Sequence, residues 1–417
     1  MGFLQQTKSS TEGTQISNVK KEGNIVHFYT SINNNYFAKA RILAKTVKQH
    51  CKNARFSLVL SDNVMQDINW VNEPFDDVIT IDKLGIPVEN LNLWIYIHTV
   101  VELCTAVKGQ ALVKFLEEGS DKVVYLDPDI AVFDDLHELE QLLDEYDVLL
   151  TPHQTIPENK ECDILNNEIC SLKHGVYNYG FYAVRNSENG LKYARWWRDR
   201  LLSFCYDDIP NGLFTDQRWG DLAPALFEGV YILRDPGCNV STWNITTRKV
   251  TKESDGRYYV NGSPLKFYHF SGFDSGNQEI MLNLQGGGNQ HLFALRKWYI
   301  RRQNEEGQEI YFTIPSIYNF YDNGEQISRE ERQLMRSRMD LLEYFKDTNP
   351  AVVEQTRSYY KWYRHELSIA GSEFSELAQA RLRIKDLEKE IEQMRATKAW
   401  KIAERIRRAK RGVLKIK

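Results

Sequence analysis

Two carboxylates separated by one residue follow an apolar run near the first third of the chain. The segment KVVYLDPDIAVF covers residues 122–133 and brings Asp127 and Asp129 directly after a stretch of β-forming residues. Pro128 has a fixed φ angle, so we expect it to hold the two acids in a constant relation. Such a pair suits a hard divalent cation that also binds phosphate oxygens, which predicts a metal and nucleotide-diphosphate site. The alternative is an ordinary helix cap or turn acid.

The elements around this pair predict an α/β fold. Strands and helices alternate, which indicates a mostly parallel sheet covered by helices on both faces. Ligands of such sheets bind beyond the carboxyl ends of the strands, where the two acids are expected. The predicted elements of the first part of the chain are strand 24–30, helix 36–51, strand 55–60, strand 77–81, helix 93–118 and strand 123–126.

After residue 147 the predicted elements change from alternating strands and helices to short strands separated by loops. Short strands are predicted at 148–150, 180–184, 230–233 and 266–270, with one helix at 188–204, and further helices at 292–302, 329–345 and 352–370. The predicted organisation is a flexible N-terminus (1–22), a catalytic domain (23–290), a helical extension (291–375), a short coiled coil (376–394) and a basic amphipathic tail (395–417).

The coiled-coil prediction rests on about three heptads. Such a segment indicates either a homo-oligomer or a helix that docks on its own domain. The residues at the a and d positions are Leu377, Ala380, Ile384, Leu387, Ile391 and Met394.

The tail carries ten lysines and arginines and one acidic residue, Glu404, although the whole chain has a net charge of −4. With Trp400 and scattered apolar residues, this composition predicts contact with an anionic membrane surface. Nucleic acid is disfavoured because the acidic body would repel it. The alternative is a solvated cationic end, and absence of binding to anionic vesicles would contradict the membrane prediction.

Composition indicates a folded protein, with 42% hydrophobic and 26% charged residues among 417. The N-terminus does not resemble a signal peptide and no apolar run is long enough to span a bilayer, so we expect a cytoplasmic protein, peripheral on the inner face of the plasma membrane. The six cysteines form no C-x-x-C pair, which indicates reduced thiols rather than zinc or disulfides.

Together with ELCTAVK at residues 102–108, the Asp-x-Asp segment resembles bacterial GT-A glycosyltransferases, in particular those of glycosyltransferase family 8. The resemblance covers about residues 24–275. It implies the GT-A fold, a Rossmann-like mixed sheet flanked by helices, here with a C-terminal helical extension and short coiled coil. It also implies that Asp127 and Asp129 bind Mn²⁺ (or Mg²⁺) on the diphosphate of a UDP-sugar.

A histidine at a His-x-x-Gly strand end completes the metal site in that family. His269 in KFYHFSGF, followed by Gly272, fits this role. The family's Lys-Pro-Trp is absent, and Phe273-Asp274-Ser275 stands in its place, so the phosphate-binding lysine of that motif comes from elsewhere or is missing. Alone, His269 would be read as a hydrogen-bonded core histidine.

The resemblance assigns further roles. Lys108 reaches toward the donor phosphates, with a surface lysine as the equal alternative. Asn178 and Gly180 in VYNYGFYAVR line the sugar pocket, and glycine allows the backbone to approach the sugar ring. Asp216 and Gln217 in FTDQRW bind donor hydroxyls near the reacting carbon, or simply begin a helix.

The remaining candidates lie at the two ends of the predicted site. Residues on the acceptor side, or in an ordinary Asx turn, are Asn239, Trp243 and Asn244. Residues following the first two strands, where GT-A enzymes hold the nucleobase, are Thr30, Ser31, Tyr36 and Asp62.

The hypothesis is therefore a metal-dependent hexosyltransferase that uses a UDP-sugar and a hydroxyl of a glycan, lipid-linked or protein-linked acceptor, with retention. An inverting enzyme would need a carboxylate base beside the acceptor, and Asp216 suits either part. One rival is a haloacid-dehalogenase-type phosphohydrolase, which an aspartyl-phosphate trapped on Asp127 would support. The other is a non-catalytic membrane-associated scaffold, which predicts that substituting both acids leaves function intact.

Overall fold

The computed structural model describes residues 25–369 and six helical residues beyond them, at positions 376, 380, 383, 384, 387 and 394. The predictions for residues 1–22 and 395–417, and for Leu377 and Ile391, lie outside the described residues. Of the remaining heptad positions, Ile384, Leu387 and Met394 are exposed. None of the described helices is long and apolar enough to cross a membrane.

The described residues form two compact units. The first contains the residues up to Pro87 together with Val100–Ile317, and the second contains Val88–Thr99 together with the residues from Tyr318 onward.

The described residues of the first unit form fourteen strands: β1 Val26–Ile32, β2 Ala54–Leu60, β3 Asp77–Thr80, β4 Lys122–Leu126, β5 Ile130–Val132, β6 Val148–Pro152, β7 Tyr177–Arg185, β8 Asp207–Asp208, β9 Leu213–Phe214, β10 Val230–Ile232, β11 Val250–Lys252, β12 Tyr258–Val260, β13 Ser263–Pro264 and β14 Phe267–His269. Seven of them make a central sheet in the order β10-β6-β7-β4-β1-β2-β3. Strand β1 pairs in parallel with β2 and β4, β2 with β3, and β10 with β6. Strand β7 runs antiparallel to both of its neighbours, β4 and β6.

Helices flank this sheet, so the predicted α/β class with a mixed, mostly parallel sheet is confirmed. Every residue of β1 and β4 is buried, as expected for strands covered on both faces. Between residues 25 and 369 the α-helices are α1 Phe37–His50, α2 Leu91–Tyr96, α3 Val100–Glu117, α4 His137–Glu145, α5 Glu161–Asp163, α6 Ile169–His174, α7 Glu188–Phe204, α8 Gln217–Gly220, α9 Ala223–Leu226, α10 Asn277–Gln285, α11 Gln290–Glu305, α12 Gln308–Tyr311, α13 Arg329–Ser337, α14 Met339–Phe345 and α15 Tyr359–Ser368.

The long helix predicted over 93–118 is wrong, because the chain is interrupted between α2 and α3. The buried guanidinium of Arg332 donates to the carbonyl oxygens of Tyr96 at 2.8 Å and His98 at 2.7 Å. These bonds hold the chain beside residues 97–99, the non-helical stretch that separates α2 from α3. The interruption assigns α2 to the second unit and α3 to the first.

Two other helix predictions needed correction. The helix predicted over 329–345 is divided at Arg338, whose extended backbone both ends α13 and precedes α14. The helix predicted from 352 begins at Tyr359, after Ser358 accepts a hydrogen bond from the backbone N–H of Lys361. Serine is a favoured N-cap, which explains the later start.

Candidate active site

Asp127, Asp129 and His269 converge beyond the carboxyl end of β4. Nε2 of His269 lies 3.0 Å from Oδ1 of Asp129 and 3.8 Å from Oδ2 of Asp127. One ligand atom from each of the three residues lies within 4.8 Å of the others, a spacing at which a single cation can contact all three.

Backbone hydrogen bonds fix both acids. The N–H of Asp127 donates to the carbonyl oxygen of Gly180 on β7 at 2.8 Å, and the carbonyl oxygen of Asp129 accepts from Phe270 N–H at 2.8 Å. Strand β5 pairs with β14 so that Ile130 lies opposite His269. The Asp-Pro-Asp turn is therefore held between two strands that arrive from later in the chain.

The charges in this cluster perturb each other. Burial alone would lower the pKa of His269, but Asp129 and Asp127 outweigh it and hold the pKa above its usual value. Burial alone would raise the pKa of Asp129, but His269 and then Lys39 bring it below its usual value. A cation that binds Nε2 of His269 takes the place of a proton there, because a ligating imidazole nitrogen carries none.

Lys108 is buried rather than on the surface. Its ammonium lies 3.1 Å from Oδ1 of Asp127 and 2.9 Å from Oδ2 of Asp216, and 4.3 Å from the centroid of the Tyr125 ring. Burial alone would lower the pKa of Lys108, but the two carboxylates raise it above its ordinary value. Lys108 therefore forms ion pairs with both Asp127, a candidate metal ligand, and Asp216, which is predicted from the sequence to lie near the reacting carbon.

Asp216 and Gln217 stand at the start of α8. Burial raises the pKa of Asp216, and Lys108 partly offsets this effect. Trp197 donates its indole N–H to the carbonyl oxygen of Asp216 at 3.2 Å. Nε2 of Gln217 donates to the carbonyl oxygen of His174 at 2.8 Å, so its amide nitrogen is already bonded within the protein.

Gly180 leaves room for the metal-site side chains. A Cβ atom at this position would lie 2.5 Å from Cε1 of His269, 2.7 Å from Oδ1 of Asn178 and 2.8 Å from Oδ2 of Asp127. These approaches are shorter than van der Waals contact, so the cluster requires glycine at position 180. Gly272 has a left-handed φ of +71° in the turn that follows β14.

The carboxyl ends of β1 and β2 form a second polar region. Within the described residues, the hydroxyl oxygens of Thr30 and Ser31 and Oδ1 of Asn35 are buried with no hydrogen-bond partner. Asp62 accepts backbone N–H groups from Asn63 at 3.0 Å and Ile317 at 3.3 Å, and burial raises its pKa. An unsatisfied buried polar atom costs about 1–3 kcal/mol, so a bound ligand is one way to satisfy it.

Tyr36 and Lys39 extend this region toward the metal site. The ammonium of Lys39 lies 4.0 Å from the centroid of the Tyr36 ring and pairs with Asp274. Burial, followed by Asp129 and Asp274, raises the pKa of Tyr36. Lys39 was not predicted from the sequence as a site residue, although its position between the apolar residues Ala38 and Ala40 indicated a buried cation. Asp274, in the segment Phe273-Asp274-Ser275, therefore binds a lysine of α1.

The candidate acceptor residues lie in the loop after β10. Asn239 has a left-handed φ of +54°, which asparagine tolerates better than most residues. Asn244 donates to the carbonyl oxygen of Asn239 at 3.0 Å and accepts from Ser241 N–H at 3.0 Å. The ring of Trp243 stands edge-on to that of His269, with centroids 5.1 Å apart.

A groove of about 520 Å³ lies where β6 ends and β7 begins. Aromatic, apolar and charged side chains line it, including Gln154, Ile156, Glu168, Tyr177 and Arg234. Gln154 donates to the carbonyl oxygen of Trp243, so this groove adjoins the loop that carries the candidate acceptor residues.

No protein-family model matches the chain. Two curated proteins of Bacillus subtilis (strain 168) are similar to parts of it, and both are described as uncharacterized. YfnD is 24% identical over 255 residues, which cover 59% of this chain and 78% of YfnD. YfnF is 31% identical over 178 residues, which cover 41% of this chain and 57% of YfnF.

Three solved structures are similar at low identity. Apo GlyE, a glycosyltransferase of Streptococcus pneumoniae TIGR4, is 15% identical over 52% of this chain and 47% of its own, with a TM-score of 0.34. The galactosyltransferase LgtC, in complex with donor and acceptor sugar analogs, is 16% identical over 63% and 95%, with a TM-score of 0.33. Mouse xyloside xylosyltransferase 1 is 12% identical over 60% and 98%, with a TM-score of 0.36. This chain thus spans less than half the length of the GlyE chain. Because the three TM-scores are low, the support for a function comes from the residues of this chain itself.

Proposed function

We propose that this chain is a metal-dependent glycosyltransferase. In this proposal it moves a hexose from a UDP-sugar to a hydroxyl of a glycan, lipid-linked or protein-linked acceptor, with retention. The observation that carries the proposal is the cluster of Asp127, Asp129 and His269 beyond the carboxyl end of β4, joined through Lys108 to the buried acid Asp216.

The residues present fit a divalent cation. Two carboxylates and one imidazole make a mixed oxygen and nitrogen ligand set, which suits Mn²⁺, with Mg²⁺ as the alternative. The space that a Cβ at Gly180 would fill is kept free beside two of these ligands, Asp127 and His269. When bound, the cation supplies charge neutralisation for a leaving nucleoside diphosphate.

The unsatisfied groups at the ends of β1 and β2 support a nucleoside site. Thr30, Ser31 and Asn35 offer buried oxygens that a uracil or ribose would hydrogen-bond. Asp62, whose carboxylate is held by backbone N–H groups, lies at the end of β2, next to β1 in the sheet. A donor extended from this region to the metal cluster would pass Lys39, which supplies positive charge next to Asp129.

The proposed transfer step uses side chains that the protein already orients. Asp216 is fixed by Lys108 and Thr215, so its carboxylate is aimed beside Asp127 before any substrate binds. In this proposal Asp216 and Gln217 bind the donor hydroxyls, and the leaving phosphate accepts the proton of the acceptor hydroxyl. Contacts of the tail with a membrane and of the heptads with a second copy stay predictions.

The test combines a donor panel with metal removal. UDP release and product formation are measured for a set of UDP-sugars, with an acceptor mixture of glycans, in Mn²⁺ and after EDTA treatment. We expect turnover with at least one donor, its loss in EDTA, and a loss of at least about 100-fold in Asp129→Asn. Asp255→Asn, which changes an exposed acid paired with Arg257, is the matched control and should retain activity.

Two outcomes would contradict parts of the proposal. Full turnover in EDTA or in Asp129→Asn would exclude a role for the metal cluster. A product of inverted anomeric configuration, measured by NMR, would exclude retention and would indicate that a carboxylate acts as base beside the acceptor.

A further inference from the structure

A row of buried hydrogen bonds connects His269 to the start of β7. Nδ1 of His269 lies 3.2 Å from Oδ1 of Asn239, and Nδ2 of Asn239 lies 3.0 Å from Oδ1 of Asn178. Nδ2 of Asn178 lies 3.2 Å from Nε2 of His153, whose Nδ1 lies 3.3 Å from the carbonyl oxygen of Val176. All four side chains are at least nine-tenths buried.

The direction of these hydrogen bonds follows from the far end of the row. A carbonyl oxygen only accepts, so Nδ1 of His153 carries the proton that it donates to Val176. Burial lowers the pKa of His153 to about 4, so its ring is neutral and its Nε2 is an acceptor. Asn178 must therefore present its NH₂ group to His153 and its oxygen to Asn239.

A backbone group confirms this direction independently. The N–H of Gly180 donates to Oδ1 of Asn178 at 3.1 Å, and a backbone N–H cannot act as an acceptor. Asn239 then donates from Nδ2 both to Oδ1 of Asn178 and to the hydroxyl of Thr151, at 2.8 Å. Its own oxygen is left to face His269.

We infer that His153, Asn178 and Asn239 are positioning residues that hold Oδ1 of Asn239 as the acceptor for Nδ1–H of His269, which leaves Nε2, 3.0 Å from Asp129, as the nitrogen that binds a cation. The direction of the hydrogen bonds stands on the contacts of the row alone, whereas its use in metal binding rests on the proposed function. The inference gives new roles to Asn178 and Asn239, which sequence analysis had assigned to the donor sugar and the acceptor.

Packing around the row supports a positioning role. The Trp243 ring lies edge-on to both histidines, with centroids 5.2 Å from that of His153 and 5.1 Å from that of His269. Outer partners that hold a ligating imidazole fix its orientation, and their loss weakens metal binding by about 10- to 100-fold.

The first experiment locates the Nδ1 proton of His269 without any metal. In protein labelled with ¹⁵N at histidine, the Nδ1–H signal of His269 and its exchange with water are measured, with His269→Gln used for assignment. We expect a slowly exchanging Nδ1–H in the wild type and faster exchange in Asn239→Leu. A wild type without a proton on Nδ1, or equal exchange in the variant, would overturn the inference. Asn178→Leu is the second variant should Asn239→Leu fail to fold.

The second experiment measures Mn²⁺ affinity in the absence of nucleotide, by electron paramagnetic resonance of the free ion. Asn239→Leu should weaken binding by about 10- to 100-fold, and His153→Leu should weaken it by a smaller factor. Asn239→Asp, which keeps an acceptor for Nδ1–H but loses the donor to Oδ1 of Asn178, should bind more tightly than Asn239→Leu. Equal affinity in all four proteins would overturn the role in metal binding.

The matched control is His27→Leu. His27 is also buried, with a pKa lowered to about 4, but its ring bonds Ser57 and Ser120 at 2.8 Å each and has no link to the row. Its substitution should leave Mn²⁺ affinity within about twofold, since additivity holds for sites with no shared partners. A wild type that binds no Mn²⁺ contradicts the metal part of the proposed function, and the measurement of the Nδ1 proton then decides the inference by itself.

Discussion

At the scale of single residues, the candidate site is organised by groups that leave space or fix orientation as much as by groups that bind. Gly180 has no side chain, which leaves space for its neighbours. The ammonium of Lys108 forms ion pairs with the carboxylates of Asp127 and Asp216. A site held in this way is oriented before substrate arrives, which reduces the reorganisation needed during reaction.

Gly180→Ala is expected to damage the metal site directly. The new methyl group would meet His269, Asn178 and Asp127 at 2.5–2.8 Å, so these side chains must move. We expect Mn²⁺ affinity to fall by at least about 10-fold and the free energy of unfolding to fall by about 1–3 kcal/mol.

Gly286→Ala is the control for that substitution. Its added Cβ would lie 2.5 Å from the carbonyl oxygen of Leu282, away from the site, so stability should fall while Mn²⁺ affinity is retained. Titration of Mn²⁺ and urea denaturation measure the two quantities. Unchanged affinity in Gly180→Ala would contradict the geometry described for the cluster.

At the scale of elements, the apolar patterns predicted most strands and helices but not their interruptions. The end of α2 depends on Arg332, which is more than 230 positions away in the chain. The direction of β7 depends on pairing with β4 and β6, and an apolar strand looks the same in either direction. The hydrogen bonds from His153 to His269 could not be predicted from the sequence either, because the residues that form them lie on loops and strands with no regular spacing along the chain.

Arg332→Met tests the interruption. The substitution removes the donor for the carbonyls of Tyr96, His98 and Tyr318, which are then left without this partner. We expect the free energy of unfolding of the second unit to fall by about 2–5 kcal/mol.

Urea denaturation, followed by fluorescence of the aromatic residues, measures this loss. Arg338→Met, at an exposed pair with Asp340, is the matched control and should change stability by less than about 1 kcal/mol. Equal stability of the two variants would show that the buried guanidinium is dispensable.

At the scale of the whole molecule, two buried histidines couple stability to pH. Burial, with a smaller effect of Arg55 on His27, lowers the pKa values of His27 and His153 from 6.5 to about 4. A depressed histidine pKa means that the unfolded chain binds the proton more tightly. The stabilisation is therefore complete above about pH 6.5 and is lost as the pH falls toward 4.

Each histidine should contribute about 3 kcal/mol to this loss of stability. The prediction is checked by urea denaturation between pH 7.5 and 4. His27→Leu and His153→Leu should each reduce the dependence of the free energy of unfolding on pH across this window. A dependence equal to that of the wild type in both variants would contradict the assignment of neutral, buried rings.

The reversed direction of β7 has a further consequence. Because β6 and β7 are antiparallel neighbours, the chain leaves β6 at Pro152 and re-enters at Tyr177 on the same edge of the sheet that carries the two acids. The intervening segment, which contains α5 and α6, is a hairpin connection that borders the 520 Å³ groove, not a crossover that must span the sheet. Under the proposed function, this connection is the part of the chain in which acceptor preference can change while the pairing of β6 with β7 is kept.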